Sequence, residues 1–175
     1  MRVVAVGLGV VIAVLVVALV VLLLRRRPPR RRPAPTAGKR ILVPFVGKLD
    51  PTVLDAAIRI AHAEDAVLVP AYLLVVPLRY SEDSPQQDQV EVAVPLLEAV
   101  EHAALRAGVP VDARIERGRT LTHALRRLWE VEHFDRIVAP APTNGGGGFS
   151  EKELAWVLTH APSETHVLKP MPTAA

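Results

Sequence analysis

Cysteine is absent from this 175-residue chain, and the motifs of several enzyme classes are absent with it. There is no thiol nucleophile, no G-x-S-x-G turn, no Walker A glycine-lysine-serine string and no H-E-x-x-H zinc motif. The S-G-G-x-D-S and H-x-G-H strings of α/β folds that activate substrates with ATP are also missing. The sequence therefore predicts a protein that is not an enzyme and has no catalytic residues. The lack of cysteine fits a cytoplasmic domain, and it equally fits a chain that simply uses none.

Charged and polar side chains are missing from residues 3–24, which are entirely apolar. About 22 apolar residues is the length that crosses a hydrocarbon core of ~30 Å as a helix. A cleaved signal peptide would have a shorter apolar region and a small-residue cleavage site. The run here ends in three leucines before Arg25, with no A-x-A pattern nearby. We therefore predict a retained transmembrane anchor with a basic stop over residues 1–27.

Acidic residues are missing before Asp50, so the positive charge is concentrated near the anchor. Six arginines follow the apolar run, namely Arg25, Arg26, Arg27, Arg30, Arg31 and Arg32. The positive-inside rule places their side of the membrane in the cytoplasm. It predicts a single-pass protein of the cell membrane, with the N-terminus outside and the C-terminal domain cytoplasmic. The arginines are also candidates for contact with the membrane surface and its anionic headgroups, although setting the orientation would be reason enough for them.

The basic pI of about 9.7 does not indicate nucleic-acid binding. Seven of the 21 Lys+Arg are Arg2 and the six arginines after the apolar run. The rest of the chain has 14 Lys+Arg against 18 Asp+Glu, a formal charge of −4. Because no basic folded face remains, we expect no nucleic-acid partner.

The chain after the anchor divides by composition. Residues 28–38 are rich in proline and arginine, which favours an extended, semi-rigid linker. Residues 39–170 are of ordinary size for one domain with its own core. Residues 171–175 form a short tail.

Apolar stretches alternate with helical ones across that domain. The predicted strands are residues 41–46, 66–76, 111–116, 136–140 and 166–168. The first, second and fourth are near-continuous apolar runs, which suit a buried parallel sheet, whereas the third alternates and the fifth is short. Helices are predicted to begin after Asp50, near Val90, at Thr120 or Thr122, and at Ser150. The polar stretch 77–89 is predicted to be a loop. This order predicts an α/β fold with a doubly wound, parallel, five-stranded sheet behind one transmembrane helix.

Four segments in this order resemble the universal stress protein family. They are KRILVPFVG (39–47), VDARIERGRT (111–120), FDRIVAPA (134–141) and LTHAPSETHVLKP (158–170). The resemblance implies a flavodoxin-like or Rossmann-like sandwich. It also implies dimerisation, which in this family is often through the last strand. Pro170 and Pro172 follow that strand here and cannot extend a hydrogen-bonded edge, so we expect a weak or altered dimer.

Some members of the family bind ATP, and the resemblance indicates where such a site would lie. The acidic residue that ends the first strand in those members is Val46 here, which has no carboxylate. Their phosphate loop, G-x-x-G followed after nine residues by G-[S/T], is not restored in any register. Aligned on the fourth strand, its first glycines become Pro140 and Thr143. If a site is retained, its candidate residues are Pro44, Val46, Leu73, Gly145, Gly148 and Ser150.

The glycine run of residues 145–148 leaves two interpretations open. Glycines before a helix can wrap an anion, or the loop has simply drifted in length, which is the interpretation that we favour. Separately, Glu151 and Glu153 in the following turn would repel phosphate. We therefore predict no cofactor, with ATP as the one candidate. No metal site is predicted either, because Glu98 and His102 lie four apart on a helix without a third ligand.

These observations predict a membrane-anchored cytoplasmic domain, similar to universal stress proteins, that acts in stress response as a non-catalytic binding or regulatory module. Its predicted partners are the lipid bilayer and either a second copy or another protein. The alternative is an adenine-nucleotide sensor that uses a modified glycine-rich loop. A nucleotide hydrolase or transferase is the third hypothesis.

Overall fold

The computed structural model describes residues 38–81, 84, 86–142 and 148–169. The predicted anchor, nearly all of the linker, the six arginines, Gly145 and the tail lie outside these residues. Among the described helices, none has both the length and the hydropathy to cross a membrane.

Five strands and four helices alternate along the described chain. The strands are β1 (Arg40–Phe45), β2 (Val67–Val75), β3 (Arg114–Gly118), β4 (Arg136–Pro140) and β5 (Glu164–Leu168). The helices are α1 (Pro51–Ala63), α2 (Gln87–Arg106), α3 (Leu121–Val131) and α4 (Glu151–His160). The strands form one parallel sheet in the order β3-β2-β1-β4-β5. The predicted doubly wound, five-stranded sheet is therefore confirmed.

The two faces of the sheet are covered by different helices. On one face, α1 and α2 pack against alternate residues of the central strands, such as Ile41, Val43 and Leu68. On the other face, α3 and α4 pack against the residues between them, such as Leu42 and Val69. Central strands are buried on both sides, which is why their sequences read as continuous apolar runs.

The predicted helix starts agree with the capping geometry. The Asp50 carboxylate accepts from the Thr52 amide at 2.8 Å, and Pro51 takes the first helical position. The Thr120 hydroxyl accepts from the His123 amide at 3.1 Å, so α3 is capped by Thr120 and not by Thr122. Both caps satisfy amides that have no partner inside the helix.

Several boundaries differ from the prediction, and among them β3 ends at Gly118 instead of residue 116 and β5 begins at Glu164 instead of residue 166. The third strand begins at Arg114 instead of residue 111, because only an isolated bridge between Val111 and Leu68 precedes it. The second helix begins at Gln87, three residues before Val90, and contains Pro95. The exposed polar residues of its first turn have no apolar periodicity and so gave no helical signal.

Trp129 on α3 and Trp156 on α4 stack with ring centroids 5.3 Å apart. The His160 ring stacks on Trp156 at 4.9 Å, one helical turn further along α4. Both tryptophans are partly buried against the core beneath α3 and α4. They therefore join the two helices on this face.

Ion pairs gather at the amino edge of the sheet, where the strands begin. Arg40 donates to Asp112 at 2.8 Å and to Glu132 at 3.0 Å. Arg114 donates to the same two carboxylates, at 2.7 and 2.5 Å. The four side chains are only 15–22% exposed, so the pairs are less screened than ordinary surface pairs. This four-residue ring ties β1 to β3 although the strands are not neighbours.

The ring predicts a pH dependence of stability centred on Asp112. Burial alone raises the pKa of Asp112, but hydrogen bonds from Arg114 and Arg40 outweigh it and hold the pKa below its ordinary value of 3.8. The unfolded chain therefore takes up this proton at a higher pH than the folded one. The stabilisation is present above the ordinary pKa and is lost as the pH falls through the folded-state pKa.

Substituting Asp112→Asn should therefore lower stability near neutral pH and flatten its acid dependence. Urea unfolding from neutral pH down to about pH 2 measures this, since the loss of stability falls below the ordinary pKa of an aspartate, about 3.9. Asp55→Asn, at an exposed position on α1, is the matched control. Wild-type and Asp112→Asn curves that run parallel through this window would refute the assignment.

Candidate functional site

A ligand site is expected at the carboxyl edge of the sheet. In open α/β sheets, ligands bind where the strand order reverses, beyond the carboxyl ends of the strands. The order here reverses between β1 and β4. The described residues of the loops after these two strands, 46–50, 141–142 and 148–150, therefore form the candidate site.

The loop after β1 offers little polar chemistry. Val46 is partly buried and packs against the core beneath α3 and α4. Gly47 has a φ of +64°, a backbone conformation that favours glycine. The carboxylate of Asp50 is occupied in capping α1. Two other predicted site residues, Pro44 and Leu73, are buried within β1 and β2, so their side chains face the core.

The loop after β4 is pinned to the sheet where it leads into α4. The Phe149 amide donates to the Pro140 carbonyl at 3.2 Å, and the Phe149 ring is fully buried. Gly148 has a φ of +86°, and a Cβ there would lie 2.3 Å from the Ala141 carbonyl oxygen. Gly148 is therefore fixed by a close backbone approach. Gly145, the other predicted glycine, lies outside the described residues.

Two main-chain amides at the amino end of α4 are capped by its own side chains. The Ser150 hydroxyl accepts from the Glu153 amide at 3.3 Å. One Glu153 carboxylate oxygen accepts from the Ser150 amide at 2.8 Å and from the Ser150 hydroxyl at 2.7 Å. This capping box uses amides that a phosphate would otherwise contact, and it places a carboxylate beside them. The hydroxyl and amide of the predicted site residue Ser150 are thus both used in capping α4.

Arg119 joins two loops of this edge and was missed by sequence reasoning. Its guanidinium donates to the carbonyl oxygens of Pro77 at 2.9 Å and of Tyr80 at 2.8 Å. These carbonyls belong to the loop after β2, whereas Arg119 directly follows β3. The one local signal is its place between Gly118 and the capping Thr120. Its carbonyl partners lie about 40 residues earlier, and no sequence pattern indicates them.

No trio of histidine, aspartate or glutamate side chains that could hold a metal ion occurs within the described ranges. Glu98 and His102 both lie on α2, consistent with their spacing. The arrangement at the carboxyl edge is thus apolar after β1, capped after β4 and cationic near Arg119.

Comparisons with known proteins agree with the architecture. No protein-family model matches the sequence, and no curated protein is similar to it. Solved structures with the same fold include a universal stress protein in complex with cAMP, 18% identical, covering 78% of this chain and 100% of that one with a TM-score of 0.57. A universal stress protein family member from Burkholderia pseudomallei is 22% identical, with coverages of 76% and 96% and a TM-score of 0.52. The universal stress protein from Archaeoglobus fulgidus in complex with dAMP is 15% identical, with coverages of 74% and 96% and a TM-score of 0.55.

Proposed function

We propose that this chain is a membrane-tethered domain, similar to universal stress proteins, that works in the cytoplasm as a non-catalytic binding or regulatory module in stress response. The fold supports the first part of this proposal, because its solved neighbours are universal stress proteins. The sequence supports the tether through the apolar run of residues 3–24 and the arginines after it.

The capped amino end of α4 is the main observation that supports a non-catalytic function. A helix amino end at the switch point is where a doubly wound fold receives phosphate. Here Ser150 and Glu153 satisfy each other, and Glu151 adds a second carboxylate in the first turn. A nucleotide phosphate would have to displace the capping carboxylate and approach against its charge.

A second observation concerns the loop after β1. Val46 can neither accept a hydrogen bond from a ribose through its side chain nor bind a cation. Its partial burial against the core further withdraws it from a ligand. Neither Val46 nor the capped start of α4 thus favours a nucleotide, among the described residues of the two switch-point loops.

An adenine-nucleotide sensor is the second candidate function. It is favoured by neighbours of the same fold that hold cAMP and dAMP. In this chain the ligand would have to use the glycine run and the turn at Gly148. A nucleotide hydrolase or transferase comes third, because it needs an activating base or metal in addition to this site.

Calorimetric titration of the full chain in non-ionic detergent with ATP and magnesium distinguishes these functions. We expect no saturable heat up to about 1 mM ligand, a concentration that corresponds to weak binding of ~4 kcal/mol. The same titration with cAMP and AMP should also give none. A phosphate-release assay on the same samples should show no turnover.

The Glu153→Gln variant is the matched comparison. Glutamine keeps the geometry of the capping box but removes its negative charge. If this carboxylate excludes phosphate, the variant should bind ATP more tightly than the wild type does. Saturable binding by the wild type would support the sensor, and turnover would refute the non-catalytic proposal.

The partner of such a module would be a second copy or another protein. β5 is an edge strand of five residues, and Val167 on it is 38% exposed. A weak dimer through this strand stays a prediction.

A further inference from the structure

The free edge of β3 presents main-chain groups that no strand pairs with. Within the described sheet, β3 pairs only with β2, as an edge strand. The Val76 amide donates to the Gly118 carbonyl at 2.9 Å, and the Asp112 amide donates to the Leu68 carbonyl at 2.9 Å. Since main-chain groups alternate in direction along a strand, the even-numbered residues face β2. The N–H and C=O groups of Ile115 and Arg117 therefore point outward.

A groove of about 580 Å³ runs beside this edge. It lies between Arg117 and the first half of α2, and its apolar wall is formed by Val90, Val94 and Pro95. The Val94 side chain is 40% exposed. Pro95 has no N–H, so the Glu91 carbonyl one turn earlier loses its helical donor and remains open as an acceptor.

Arg117 supplies a positive charge to the groove, whose lining also includes the acidic residue Glu91. No hydrogen bond or ion pair of the Arg117 side chain is seen among the described residues. By contrast, Arg40, Arg114 and Arg136 each contact two carboxylates. A guanidinium that has no carboxylate partner and lies beside an apolar wall can bind the carboxylate of a ligand.

We propose that this groove binds an extended peptide segment of a partner protein, which adds as a strand to the free edge of β3. The peptide's main chain pairs with the outward groups of Ile115 and Arg117. Alternate peptide side chains then point into the groove, because side chains alternate along a strand. An acidic residue contacts Arg117, and an apolar residue two positions away packs on Val94 and Pro95. We infer an added strand because the main-chain groups of Ile115 and Arg117 point outward. We infer an acidic residue in the peptide because the Arg117 guanidinium has no carboxylate partner among the described residues.

The test uses the full chain in non-ionic detergent and the blocked peptide acetyl-Thr-Glu-Thr-Val-Thr-amide. Two comparison peptides replace its glutamate by lysine, or methylate the main-chain nitrogens that would pair with β3. Binding is followed by amide chemical shifts, which also report the site. We expect shifts confined to β3 and the first half of α2, and binding at least several-fold weaker for both comparison peptides.

Charge reversal at the groove makes the test specific. Arg117→Glu should weaken binding of the acidic peptide about tenfold, as loss of a charge-assisted hydrogen bond predicts, and should make the lysine peptide the tighter ligand. Arg59→Glu, at an exposed position on α1, is the matched control and should change neither peptide. The melting temperature of each variant shows that it is folded.

Three outcomes would overturn the proposal. The N-methylated peptide could bind as tightly as the parent, which would exclude strand addition. Arg117→Glu could leave the preference between the peptides unchanged. Sedimentation could show a dimer that Arg117→Glu dissociates, which would assign the edge to a second copy of this chain.

Discussion

Deleting residues 1–27 is expected to move the protein almost completely from the membrane pellet to the supernatant. The deletion removes about 22 consecutive apolar residues, and burying such a run in a bilayer is effectively irreversible. The full chain should resist extraction by alkaline carbonate, whereas the shortened chain should not sediment at all. Fractionation followed by immunoblotting measures both.

The arginines after the run provide the control. Replacing Arg25, Arg26, Arg27, Arg30, Arg31 and Arg32 by glutamine should leave the protein in the pellet, since the apolar run is intact. It should instead disturb the orientation, which these cations set. Protease protection of the C-terminal domain reports that. Full-length protein that alkaline carbonate releases would disprove the tether.

Gly118→Ala is expected to destabilise the domain by about 3 kcal/mol, the upper range for forced overpacking of a core. A Cβ at residue 118 would lie 2.5 Å from the Ala124 amide nitrogen and 2.9 Å from the Ala124 Cα. Both atoms belong to the main chain of α3, so no rotation of a side chain can relieve the contact. The whole first turn of α3 would have to move away from β3.

Gly38→Ala is the matched control, because the nearest atom to a Cβ there lies at 3.9 Å, an ordinary contact. Urea unfolding of both variants gives the comparison. Gly38→Ala should stay within about 0.5 kcal/mol of the wild type, as is usual for surface changes. A loss below about 1 kcal/mol for Gly118→Ala would show that α3 can move without cost and would contradict the rigid contact described here.

Local signals were sufficient for most of the fold. The caps at Asp50, Thr120 and Ser150 act within three residues of the helix starts that they mark. The buried strands are apolar without interruption because helices cover both faces of the sheet. The third strand was less well predicted, since its half-buried residues follow the weaker pattern of a sheet edge.

The long-range polar contacts could not be predicted. Arg40 is 72 residues from Asp112 and 92 residues from Glu132 in sequence. Only the completed sheet brings these charges together, so no spacing indicates the ring. The contacts of the Arg119 guanidinium and the groove beside Arg117 could not be predicted for the same reason. The sequence does show the residue types at the site, namely the valine at residue 46 and the acidic residues at the start of α4.

β1 is the strand through which a mechanical load applied to the chain before residue 38 would enter the domain. The chain before the sheet joins it at Arg40, and β1 lies between β2 and β4. Tension along that chain shears two rows of hydrogen bonds at once, whereas tension on an edge strand would act on one row. The ion pairs of Arg40 lie at the same end and share the force. If the predicted tether exists, we expect a pull from that side to be opposed by both rows and by these ion pairs, so that forced unfolding is governed by a slow rate of rupture.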